Sequence, residues 1–92
     1  MKTMFPLGTI AITPDALEAL QKANLSPESI LQRHVLGDWG DLEDSDKKTN
    51  ELAVEMGGRI LSAYDLTPDG TTVWVTTDAD RRTTTVFLPS EE

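Results

Sequence analysis

The stretch "RILSAYDLTPDGTTVWVTTDADRRTTTVFLP", residues 59–89, decides the fold. Its apolar period is two. "RILSAYDL", "TTVWVTT" and "TTTVFLP" are short runs rich in β-branched and aromatic residues, each bounded by turn signals. In "TPDG", Pro68 suits the second turn position, Asp69 the third and Gly70 a left-handed fourth. "DADRR" makes the next turn, and Pro89 stops the last run before a solvated "SEE" tail. Connections this short join antiparallel neighbours, so a C-terminal three-strand meander is predicted.

Toward the N-terminus the period becomes helical. Asp44 or Ser45 caps a helix running to about Met56, with Thr49, Leu52, Ala53 and Met56 as its buried stripe and Gly57-Gly58 as its end. "SPESILQRHVL" starts with a capping Ser26 and a proline, and sets Ile30, Leu31, His34 and Val35 on one face. "TPDALEALQKAN" repeats the signal with Thr13, Pro14 and Asp15; Ala16, Leu17 and Leu20 form its stripe and Asn24 its stop. Before it, "GTIAIT" (8–13) alternates, with Ile10 and Ile12 opposite Thr9, Ala11 and Thr13. The expected order is β-α-α-α-β-β-β. This is a single α+β domain over 1–92, with helices packed on one face of an antiparallel sheet, the first strand at an edge, and a second face that is partly exposed.

Composition narrows the function classes. The chain has 92 residues, 38% of them apolar, and no cysteine. Disulfides, thiolate metal sites and cysteine catalysis are excluded, and a cytoplasmic location is expected. No apolar run approaches the roughly 18 residues of a membrane span, and "MKTMFPLG" lacks a signal-peptide core. Sixteen acids against eight bases give a net charge of −8. That disfavours direct nucleic-acid binding, which depends on Lys and Arg displacing counterions, and suits a protein partner with a basic surface.

The densest cluster of reactive side chains is "HVLGDWGDLEDSD", 34–46. Asp38 and Asp41 suit hydrogen bonds to backbone in the Gly37 and Gly40 turns. Trp39, between glycines, is either a lid on the sheet or an exposed anchor. Read as a docking surface, the segment offers Asp38, Trp39, Asp41, Glu43, Asp44 and Asp46. A second group, Asp78, Asp80, Arg81 and Arg82, lies on a hairpin tip; turn chemistry explains it as well as a partner-contacting finger does. No metal site is expected. A calcium loop starting at Asp41 has Ser45 at position 5, Asp46 where Gly is needed and Leu52 where the closing Glu is needed. His34 lies on an apolar stripe, which favours a core or helix-end role over ligation. No catalytic residue or cofactor is assigned. An acid–base pair of His34 with Asp38 or Asp41, and a phosphate held by Arg33, Arg59, Arg81 and Arg82, is the enzymatic alternative, and nothing in their spacing requires it.

"RHVLGDWGDL", "NELAVEMGGRILSAYDL" and "VWVTTDADRRTTTVFLP" together resemble a family of small bacterial proteins associated with plasmids and other mobile elements. The shared pattern is His34 to Gly40, Asn50-Glu51, Arg59 to Tyr64, Trp74 to Arg81 and Leu88-Pro89. Some members carry plasmid or restriction-modification labels. A chain this short has no room for a methyltransferase cofactor domain, so those labels describe genomic neighbourhood. The resemblance implies a context of mobile elements and host defence and supplies no catalytic residues. The combined expectation is a non-catalytic, acidic binding or inhibitory protein of anti-restriction or anti-CRISPR type. The alternatives are a small ribonuclease-like or toxin–antitoxin component, and a sheet-mediated homodimer.

Overall fold

In the computed structural model, which describes residues 3–67 and 70–92, hydroxyl caps start the first two helices. Helix α1 spans Pro14–Lys22, with the Thr13 side chain accepting from Ala16 N–H at 3.1 Å. Helix α2 spans Pro27–Val35, with Ser26 accepting from Ser29 N–H at 3.2 Å. Each has proline in its first turn, where a missing N–H costs nothing. Helix α3 spans Asp44–Met56 and starts differently from expectation. Glu43 holds the cap position without a side-chain bond, and Asp44 and Asp46 lie in the first turn, where the helix dipole favours them. Gly57, at φ +85°, closes α3 in the left-handed conformation.

Four strands form one sheet in the order β1-β4-β3-β2: β1 Thr9–Ile12, β2 Ile60–Asp65, β3 Thr72–Thr77 and β4 Thr83–Phe87. β2, β3 and β4 pair antiparallel in sequence. The architecture is α+β, but the sheet is mixed, because β1 runs parallel to β4. No short turn joins those two strands, so nothing imposes the antiparallel sense that hairpins impose on the others. The expected turn positions Pro68 and Asp69 lie outside the described residues. Beside them Gly70 has φ +94°, and its N–H donates to Thr67 O at 3.2 Å.

Helices α1 and α2 cover one face. Ala16, Leu20, Ile30 and Leu31 pack there with Tyr64, Val73, Val75 and Val86. A second cluster joins Phe5, Val35, Trp39, Ala53 and Ile60. Helix α3 departs from its expected stripe: it buries Asn50 and Ala53, while Leu52 is 59% and Met56 81% exposed. It packs against β2, the edge strand, so only a narrow strip of it meets the protein. On the opposite sheet face the Trp74 and Phe87 rings meet edge to face at 6.1 Å. The expected free tail is instead tied down. Pro89–Glu91 forms a 3-10 turn, and the Glu91 carboxylate accepts from Thr13 Oγ1 and Leu88 N–H, both at 2.8 Å. Among the described residues no helix is long and apolar enough to cross a membrane.

Candidate functional site

His34 sits on the inner face of α2 and is fully buried. Its Nδ1 lies 2.6 Å from Ser62 Oγ and its Nε2 2.9 Å from Thr77 Oγ1. Thr77 Oγ1 lies 2.8 Å from Thr84 Oγ1, which donates to Leu7 O at 2.7 Å. A hydroxyl has one proton, so the direction of the chain follows from its end. Thr84 gives its proton to a carbonyl and must accept from Thr77. Thr77 must then accept from His34 Nε2–H, which leaves Nδ1 to accept from Ser62. The neutral Nε2–H tautomer is therefore built in. Burial pushes the imidazole down to about 4, consistent with that neutral form. Phe5 and Trp39 meet the ring edge to face at 5.2 and 6.1 Å. The acid–base alternative thus meets a ring closed to solvent, with both nitrogens engaged.

The segment after His34 covers the outer edge of β2. Trp39 O accepts from Ala63 N–H at 3.2 Å, and Asp41 N–H donates to Ala63 O at 2.7 Å. The Asp41 carboxylate accepts from Asp65 N–H at 2.8 Å. Gly40, at φ +77°, is required between them, because a Cβ there would run into the Ala63 carbonyl. Asn50 of α3 continues the edge: its amide donates to Leu61 O at 2.6 Å and accepts from Leu61 N–H at 3.1 Å. Trp39 is only 4% exposed and stacks on Phe5, with centroids 6.2 Å apart. It is the lid of the second cluster, which removes it from the docking surface. Asp38 is committed in part. It pairs with Arg33 Nε at 2.7 Å and accepts from Gly40 N–H at 3.1 Å. The hydrogen bond from Arg33 holds the Asp38 carboxyl below its ordinary range. The Arg33 guanidinium also lies 4.4 Å over the Tyr64 ring, whose hydroxyl donates to Asp38 O at 2.6 Å. Burial pushes that phenol up to about 12.

Glu43, Asp44 and Asp46 remain exposed, and the ion pairs among the described residues involve none of them. At the hairpin tip Asp78, Asp80 and Arg82 are exposed, and Asp80 accepts from Arg82 N–H at 3.0 Å, as turn chemistry predicts. Arg81 is a correction. Its guanidinium donates to Ala53 O at 2.8 Å and Gly58 O at 2.6 Å and lies 5.6 Å over Phe5. It is a fastener at the C-terminal end of α3, and with Arg33 bound to Asp38 the four arginines do not converge as an anion site. The two predicted acidic groups also do not meet. One sits at the start of α3 and the other beside its end, about 20 Å along a helix of 13 residues.

Sequence reasoning assigned no role to Ser62, Thr77, Thr84 and Asn50, which read only as members of strands, of a helix or of the shared pattern. The signal was available in part: a histidine on an apolar stripe needs two partners, and inward hydroxyls on neighbouring strands are the nearest source. Among the described residues no group of three His, Asp or Glu is arranged to hold a metal ion. No protein-family model matches the chain, and no curated protein or solved structure is significantly similar to it.

Proposed function

We propose that this chain is a non-catalytic binding protein whose α3 face docks a basic protein partner. The observation that carries the reading is the outer face of α3. Leu52 and Met56 are exposed one turn apart, 59% and 81%. Lys48, Glu51 and Glu55 line a groove with Leu52, and Glu43, Asp44 and Asp46 lie toward the helix start. Acids kept only for solubility need no apolar pair among them; an apolar anchor in an acidic surround is what a basic partner with one apolar contact recognises. The resemblance to mobile-element proteins suggests a host defence or regulatory complex as the target, in the manner of an anti-restriction or anti-CRISPR protein in the cytoplasm.

The test compares three folded variants for capture of the partner that the intact chain takes from its host. Leu52→Ser with Met56→Ser should abolish capture. Neutralising Glu43, Asp44 and Asp46 should slow association, with added salt reducing the difference. His34→Gln should retain capture. If His34→Gln stays folded and loses the cellular effect while the α3 variants keep it, the ribonuclease-like alternative replaces this reading.

A further inference from the structure

β1 is an open edge. It pairs with β4 and with no other strand among the described residues. Thr9 N–H donates to Arg82 O at 2.8 Å and Thr13 N–H to Val86 O at 3.0 Å. Successive residues of a strand turn their backbone groups to opposite sides, so Ile10 and Ile12 direct N–H and C=O outward. Edges of this kind are usually blunted by shortness, charge, proline, a bulge or a cover, and of these β1 has shortness, at four residues. β1 reads TIAI, with no charge and no proline, and Ile10 is 45% exposed. Leu17, in the helix that follows, is 37% exposed.

Residues 9–13 read TIAIT, the same in both directions. We infer that β1 pairs antiparallel with β1 of a second copy of this chain, about a two-fold axis midway between the two Ala11 residues, making one continuous sheet of two four-stranded halves. In that register each Ile10 faces Ile12 of the other copy, and each such pair exchanges two backbone N–H···O bonds. The two Ala11 residues meet in the non-hydrogen-bonded pair, where Cα atoms approach to about 4.5 Å and a small side chain is favoured. Thr9 faces Thr13. A foreign strand would gain the backbone bonds without this match of side chains. The assembly also closes at two copies, because the β2 edge is already occupied by Asn50, Trp39 and Asp41. The net charge of −8 on each copy opposes association, so salt strengthens it. This contact lies on β1 and stands apart from the docking reading of α3.

The absence of cysteine makes the register directly testable. Ala11→Cys places two thiols across the axis, with Cα atoms about 4.5 Å apart, inside the range a disulfide spans. Thr9→Cys is the control, because its own counterpart lies about 14 Å away, four residues along the partner strand. Under one mild thiol–disulfide buffer and at equal protein concentration, Ala11→Cys should yield a covalent dimer at least about tenfold faster than Thr9→Cys. The cysteine-free chain should show a mass rising toward two copies with concentration and with salt. Ile10→Pro removes an outward N–H and leaves the bonds to β4, so it should stay monomeric with unchanged circular dichroism. Equal cross-linking of the two cysteine variants, a folded Ala11→Cys that stays a thiol, or assemblies larger than two would each overturn the inference.

Discussion

The two edges of the sheet are finished in opposite ways. Along β2 the outward N–H groups of Leu61, Ala63 and Asp65 are taken by Asn50, Trp39 and Asp41 in turn. Along β1 the outward groups of Ile10 and Ile12 meet no strand among the described residues. The difference shows that closing an edge takes structure from outside the sheet. Here it takes a helix-borne amide, a glycine at positive φ and a carboxylate held in register by a buried indole. Much of "HVLGDWGDL" is accounted for by that task. A dense run of Asp, Trp and Gly thus marks an edge being sealed as readily as it marks a site.

The largest effect on this contrast should come from Trp39→Ala. The indole anchors the segment that covers β2, and truncating a buried large aromatic costs about 3–5 kcal/mol in denaturant unfolding. A loss below about 1 kcal/mol would mean that the covering segment stands without its anchor. Next is acid. His34 has an ordinary value of 6.5 and is lowered to about 4 in the fold. A group whose folded value is depressed binds more protons when unfolded, so stability is full above 6.5, falls as pH drops toward 4 and then flattens. The loss is about 3 kcal/mol. Asp38, lowered by Arg33, acts in the same direction at pH values below its ordinary 3.8. His34→Gln should flatten the unfolding midpoint between pH 4 and 6.5; an unchanged profile would remove His34 as its cause.

Asn50→Ala should cost about 1–3 kcal/mol, because it strips partners from both backbone groups of Leu61. Hydrogen exchange at the Leu61 amide should accelerate with it. The smallest effect belongs to the open edge. Ile10→Lys, measured at concentrations where the chain is monomeric, should change stability by less than about 0.5 kcal/mol. A cost equal to that of Asn50→Ala would erase the distinction between the edges.

The sequence pattern carried the element order because local chemistry sets it. Thr13 and Ser26 cap as their positions predict, and the period-two runs became β2, β3 and β4. The parallel pairing of β1 was illegible, because it depends on how the ends of a long connection return. Leu52 and Met56 read as core, since an apolar stripe looks the same whether it meets the sheet or solvent; only the placement of α3 at the β2 edge separates the cases. Trp39 remained open between lid and anchor until the Phe5 stack closed over it. Ser62, Thr77 and Thr84 were invisible as a network, because their partnership is made between elements and strand propensity already accounts for each alone.

Arg81 makes the end of α3 answer to a distant part of the chain. Helix α3 has no basic residue in its own last turn. Gly57 and Gly58 N–H already donate to Ala53 O, and the positive charge added at that end comes from a hairpin residue 28 positions after Ala53 and 23 after Gly58. The glycine closure is local to the helix, whereas the charge reaches it only through the fold, when the β3–β4 turn lies back against α3. Arg81→Met should therefore leave α3 helical while hydrogen exchange over its last turn quickens, because the glycine closure remains and the tie to the hairpin is lost.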